Sequence, residues 1–188
     1  MISLCLSRYK RKTNGIMTDK DNNGNIILIG MPASGKSTVG VILAKIFGKE
    51  FVDTDLVIQK NEGTTLQNIL EKEGIDAFLK CEEKALLSID ATDTVISTGG
   101  SAVYSEEAMK HLSEGATVVY LKVQPEDLKK RLKNLKERGV VMKPGESFEE
   151  MYAARSVLYE RYADITITEE GEQIEETVCA VAQALRKQ

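Results

Sequence analysis

The chain of 188 residues holds a single histidine, His111, and only three cysteines, Cys5, Cys81 and Cys179. One histidine excludes His-based metal sites and catalytic triads, so a hydroxyl activated here must be activated by a carboxylate. The cysteines are odd in number, far apart and without C-x-x-C spacing, which points to reduced thiols in a cytoplasmic setting, not to a zinc site or a disulfide frame. No run approaches the roughly 20 apolar residues of a membrane span, and Met1 to Leu6 is too short for a signal-peptide core and precedes the basic cluster. Lys and Arg are not gathered into a binding face either. Residues 1–24 carry five basic against two acidic side chains, yet the whole chain has a net charge of −4, so the remainder is acidic. That balance speaks against a nucleic-acid partner. Residues 1–24 read as a flexible tail, with Met17 as an alternative start, and residues 25–188 as one domain.

What is present is a phosphate-binding loop. Gly30-Met31-Pro32-Ala33-Ser34-Gly35-Lys36-Ser37 fills every fixed position of G-x-x-x-x-G-K-[ST]. An apolar run, Ile26 to Ile29, leads in, and a helical pattern (Val39, Ile42, Leu43, Ile46, Phe47) leads out. A buried strand then delivers the loop to a sheet edge, and a helix N-terminus aims backbone N–H groups at phosphates. Gly30 and Gly35 let the backbone curl, and Ala33, Ser34 and Thr38 complete the nucleotide-binding set. Lys36 would reach the β- and γ-phosphates and the Ser37 hydroxyl would hold Mg²⁺. The implied ligand is a nucleoside triphosphate with Mg²⁺.

Further strand-like runs, short and β-branched, occur at 51–53, 94–97, 117–121 and 165–167, with helical patterns over 55–72 and 75–89 around Gly74, then 105–113, 125–136, 148–162 and 172–186. The alternation predicts an α/β fold with a parallel sheet covered by helices on both faces, and ligands beyond the carboxyl ends of the strands. Asp53-Thr54-Asp55 closes the second strand at that edge. Asp53 can bind Mg²⁺ through water, and Asp55 can take a proton from an attacking hydroxyl; the alternative is that Asp55 only caps the next helix. Gly99 and Gly100 follow the third strand, where they bring backbone N–H groups close to a phosphate or substrate or simply form a tight turn. Residues 137–147, with two glycines, a proline and two cations, suit a mobile flap over phosphates. Arg131, Arg138 and Arg155 fall in or beside it, each open to base stacking or phosphate contact.

Together these residues resemble the shikimate kinase family, small relatives of the nucleoside monophosphate kinases, over about Asn25 to Leu185. Phe78, Glu82, the Arg131-to-Arg138 spacing and Arg155 within Arg155-Ser-Val-Leu-Tyr159 also match. The resemblance implies a P-loop fold with three layers, a five-stranded parallel sheet and a lid. It also implies transfer of the γ-phosphoryl of ATP to a shikimate hydroxyl, in aromatic amino acid biosynthesis. By the same resemblance Ser37 and Asp53 hold Mg²⁺, and Asp55 contacts and activates the hydroxyl. Arg131 stacks on adenine, Arg138 touches phosphates, and Arg155 grips the substrate carboxylate, with Phe78, Gly99 and Gly100 lining the substrate site. Lys36, Asp55 and Arg138 are the expected catalytic set, in a monomer.

Two positions depart from the family. F-R-x-x-E reads Phe78-Leu79-Lys80-Cys81-Glu82, so Leu79 replaces a carboxylate-binding arginine, and the third glycine of the turn is Ser101. Lys80 is turned about 100° away along a helix and does not replace the lost contact. Leu79→Arg is accordingly expected to lower the KM for shikimate. A kinase of another small hydroxylated metabolite, such as a sugar acid or hydroxy amino acid, and a non-catalytic nucleotide-binding homologue are the alternatives.

Overall fold

The computed structural model describes residues 24–132, 140–169 and 173–187. Five short strands form one sheet: β1 (Ile26–Ile29), β2 (Glu50–Asp53), β3 (Thr94–Ser97), β4 (Thr117–Lys122) and β5 (Ile165–Thr168). Their spatial order is β2-β3-β1-β4-β5 and every pairing is parallel. Successive residues of a strand face opposite sides of a sheet, and β1 shows what that requires when both sides are covered. Ile26 and Leu28 pack with Val39 and Leu43 of α1 (Lys36–Phe47) and Val178, Val181 and Leu185 of α7 (Ile174–Leu185). Ile27 and Ile29 pack on the other side with Met109, Leu112, Met151 and Tyr159. The result is the helix–sheet–helix layering expected from the alternation.

The remaining helices are α2 (Thr54–Glu62), α3 (Leu66–Leu87), α4 (Glu106–Ser113), α5 (Pro125–Arg131) and α6 (Phe148–Tyr162). The anticipated helix over 55–72 is in fact two pieces. Gly63 terminates α2 in a left-handed conformation (φ 63°), and the Thr65 hydroxyl caps α3 by accepting the Asn68 N–H at 3.3 Å. At Gly74 α3 kinks, with φ 83° and ψ 179°. The single turn of 3₁₀ helix at Ala102–Tyr104 was not anticipated either. Helix α6 keeps its expected bounds because Ser147 and Glu150 form a reciprocal capping box.

The second half of the expected 125–136 helix and the tail fall largely outside the described residues, as do Arg138 and Gly139 of the predicted flap. The rest of that segment is no plain surface loop. Val141 is buried against Ile58, Ile69 and Phe78, which draws the chain before α6 down onto α2 and α3. Cys81 is a free thiol. Cys5 lies outside the described residues. Among the described residues no helix is long and apolar enough to cross a membrane.

Candidate active site

Parallel strands place the chain segments that follow β1, β2 and β3 at one edge, and these segments wall a cavity of about 300 Å³. The loop after β1 owes its shape to backbone that side chains resist. Gly30 (φ 146°) has no room for a Cβ, which would stand 2.7 Å from the Leu121 carbonyl oxygen, and Gly35 (φ 86°) starts α1. Ala33 also adopts positive φ, at 63°. Lys36 is buried, its Nζ donating to the carbonyls of Gly30 and Met31, both at 2.8 Å. Burial lowers its pKa to about 8 against the opposing pull of Asp55 and Asp53.

Ser37 Oγ donates to Asp53 Oδ2 at 2.6 Å, so the two expected Mg²⁺ ligands meet across α1 and β2. The helix cap falls to Asp53, whose Oδ1 accepts the Asp55 N–H at 3.0 Å. Asp55 is thereby left with its carboxylate in the cavity. Its pKa is raised, first by burial and then by the neighbouring Asp53, with Lys36 pulling the other way. A carboxylate so placed is a fitter proton acceptor than an exposed one.

Gly99 and Gly100 line the cavity, for a reason other than the one foreseen. The Gly99 N–H donates to Thr54 Oγ1 at 3.0 Å, so it is engaged within the protein. What matters is the missing side chain: a Cβ on Gly99 would lie 2.3 Å from Glu82 Oε1, and one on Gly100 would lie 2.7 Å from Pro32 Cδ. Glu82, from α3, is buried, and burial raises its pKa to about 7 against the opposing influence of the Ser101 hydroxyl and the Arg155 charge.

Arg155 on α6 is 1% exposed. Its Nε donates to Tyr104 Oη at 3.1 Å, its Nη2 to the Val141 carbonyl at 2.5 Å, and its guanidinium stacks 5.1 Å from the Tyr104 ring centre. The third nitrogen, Nη1, is buried without a hydrogen-bond partner among the described residues. A fixed guanidinium with one donor to spare beside a cavity suits an anionic group such as a carboxylate. Phe78 supplies an apolar wall.

Arg131 lies outside this lining, in a bidentate pair with Glu169 (both contacts 3.0 Å). Leu79 is half-buried in the cluster around Phe78 and Val141 and borders a neighbouring cavity of about 350 Å³. Glu82 and Ser101 form the wall that the two cavities share. Sequence reasoning missed Tyr159, whose hydroxyl donates to the Gly100 carbonyl at 2.6 Å, and Tyr104 and Glu169. Tyr159 falls in the matching segment after Arg155 but its role was not legible there; Tyr104 and Glu169 belong to no local motif, so only the fold could reveal them.

The family model for shikimate kinase matches residues 32–186. A shikimate kinase of Histophilus somni (strain 2336) is 36% identical over 147 residues, covering 76% of this chain and 84% of that protein. One from Nitrosospira multiformis is 35% identical over 152 residues, covering 79% and 78%. Among solved structures, the shikimate kinase from Acinetobacter baumannii in complex with shikimate aligns with a TM-score of 0.79 at 30% identity, covering 89% of this chain and 95% of that one. Agreement at that identity, across most of both partners in each comparison, shows that the chain belongs to the shikimate kinase family, ATP-dependent phosphotransferases acting on a hydroxyl group.

Proposed function

We propose that this chain transfers the γ-phosphoryl of MgATP to a hydroxyl of shikimate, with Lys36, Asp55 and Arg155 in the leading roles. The observation that carries the assignment is their convergence on one cavity, lined by a cation from the phosphate loop, a half-buried carboxylate and a buried guanidinium. Phosphoryl transfer needs alignment, charge neutralisation and an oriented nucleophile more than covalent chemistry. Asp55 orients the acceptor hydroxyl and takes its proton at a carboxylate oxygen. Arg155 Nη1 holds the acceptor carboxylate. Lys36 leaves the Gly30 and Met31 carbonyls for the phosphates.

Ser37 and Asp53 supply two oxygens at the mouth of the loop. That donor set fits Mg²⁺, which commonly takes one or two protein ligands and completes its shell with water and phosphate oxygens. When bound, the ion neutralises phosphate charge. Gly30, Ala33, Ser34, Gly35 and Thr38 cradle the phosphates with their backbone. Arg131 is assigned to adenine and Arg138 to the phosphates by their places in the family pattern. The setting that goes with this reading is a cytoplasmic, monomeric enzyme of aromatic amino acid biosynthesis.

The test is ADP release from MgATP with and without millimolar shikimate. A shikimate-dependent rate that Lys36→Ala abolishes supports the reading. A flat trace from protein that binds ATP overturns it and turns attention to other hydroxylated acceptors.

A further inference from the structure

Glu169 directly follows β5 and is only 9% exposed. Its two carboxylate oxygens accept from Nη1 and Nη2 of Arg131, both at 3.0 Å. Its backbone is fixed as well, the N–H donating to the Lys122 carbonyl of β4 at 2.9 Å. Withdrawing a carboxylate from water costs about as much as such a pairing returns, so stability alone does not account for the pair. Its position does. The phosphate loop stands over β1 in the middle of the sheet, and the acceptor cavity opens on the side of β3 and β2. In-line transfer turns the γ-phosphate toward the acceptor, so the nucleoside must trail to the opposite side, over β4 and β5. Arg131, the last residue of α5, and Glu169 meet on that side. Helix α7, which follows β5, reaches the loop there too: Ile174 Cδ1 lies 3.1 Å from where a Cβ on Gly35 would stand.

We propose that Glu169 is a positioning residue for the nucleoside, its carboxylate holding the Arg131 guanidinium in the plane on which the base stacks. This deepens the functional reading above, which assigns Arg131 to adenine, and rests on it. A bidentate carboxylate grips the edge of a guanidinium and leaves stacking to its faces. An arginine ordered before the ligand arrives loses little further freedom on binding, which strengthens the contact without adding one. The pair also offsets the arginine's charge, so Arg131 serves the base while the loop and its lysine serve the phosphates.

The experiment titrates the full chain calorimetrically with MgATP and with magnesium tripolyphosphate, which carries the phosphates and no nucleoside. In Glu169→Gln the Kd for MgATP should rise about threefold to tenfold, the worth of one long side chain ordered in advance, with that for tripolyphosphate unchanged. In turnover the KM for ATP should rise while kcat and the KM for shikimate hold, and Glu169→Asp, which keeps the charge, should recover part of the loss. An unchanged Kd for MgATP overturns the inference. Equal weakening of both ligands assigns the pair to the fold and overturns it, as does tighter binding of both, the sign expected if Glu169 only repels phosphate charge. In an Arg131→Ala background Glu169→Gln should alter the Kd for MgATP by less than about twofold, since its partner is gone. A further loss of the original size there overturns the inference, and this cycle decides if tripolyphosphate binds too weakly to titrate. If Arg131→Ala alone leaves the Kd for MgATP unchanged, the inference falls, while shikimate-dependent ADP release would leave the phosphoryl-transfer reading standing.

Discussion

On the nucleotide side of the cleft, polar groups are already paired with close neighbours. Lys36 rests on two carbonyls of its own loop and Ser37 on Asp53. On the acceptor side, Glu82 Oε1 and Arg155 Nη1 are buried and lack such partners among the described residues. The first half therefore exchanges bonds when its ligand arrives, whereas the second gains bonds it did not have. Exchange is tolerant, since the bonds lost and gained are alike. Gain is selective, because a wrong acceptor leaves buried groups unpaired in surroundings of low dielectric. On the proposed reading of the site, discrimination is concentrated on the acceptor.

The largest effect expected from this division belongs to Asp55→Asn. Losing the proton acceptor should lower kcat by about 10²–10⁴, while a calorimetric ATP titration shows an almost unchanged Kd. A matching loss of ATP affinity would move Asp55 to the nucleotide half and blur the boundary. Next comes Arg155→Lys. An ammonium cannot stack on Tyr104 and serve Val141 and a ligand at once, so the KM for shikimate should rise by about tenfold to a hundredfold with that for ATP little changed.

The third prediction concerns stability. Glu82 has its pKa raised from 4.5 to about 7 in the folded chain, by burial above all, with Asp55 adding to the rise and Ser101, Arg155 and Lys36 opposing it. Between those values the folded state keeps a proton that the unfolded state has released. Stability should therefore fall as pH climbs through that window. Thermal unfolding midpoints across the range should show the decline, and Glu82→Gln should flatten it. Asp55, also shifted upward, adds a slope of the same sign that remains. The smallest effect is expected from Leu79→Arg, which brings a cation to the wall shared with Glu82 and should lower the KM for shikimate by a small factor. No change would mean that position 79 stays on the far side of that wall.

The same division governs what could be read in advance. The nucleotide half is one contiguous motif between a strand and a helix, and Gly30 to Thr38 stood where the pattern placed them. The sheet was legible because runs such as Ile26 to Ile29 are apolar on both faces. Helix ends were less so, since Gly63 and Thr65 carry the signals of a stop and a start inside what passed for continuous periodicity. The acceptor half is assembled from α3, the turn after β3 and α6. Asp55 and Arg155 were flagged by their places in the chain and Phe78 by resemblance, but the unpaired Glu82 oxygen and the partners of Arg155 are properties of tertiary packing. Gly99 was named for its N–H and is needed for its lack of a side chain.

Tyr159 sits one turn beyond Arg155 on α6. Its hydroxyl bonds the Gly100 carbonyl and also lies 3.8 Å from the sulfur of Met31 in the phosphate loop. One side chain thus braces the walls of both half-sites against each other. In thermodynamic terms the brace is a route for linkage: a ligand that shifts one wall alters the free energy of the other. Whatever factor ATP applies to the affinity for the acceptor, the acceptor must return to ATP in equal measure. Removing the hydroxyl, as in Tyr159→Phe, would leave both pockets in place and uncouple them, turning two substrates that sense each other into two that bind as strangers.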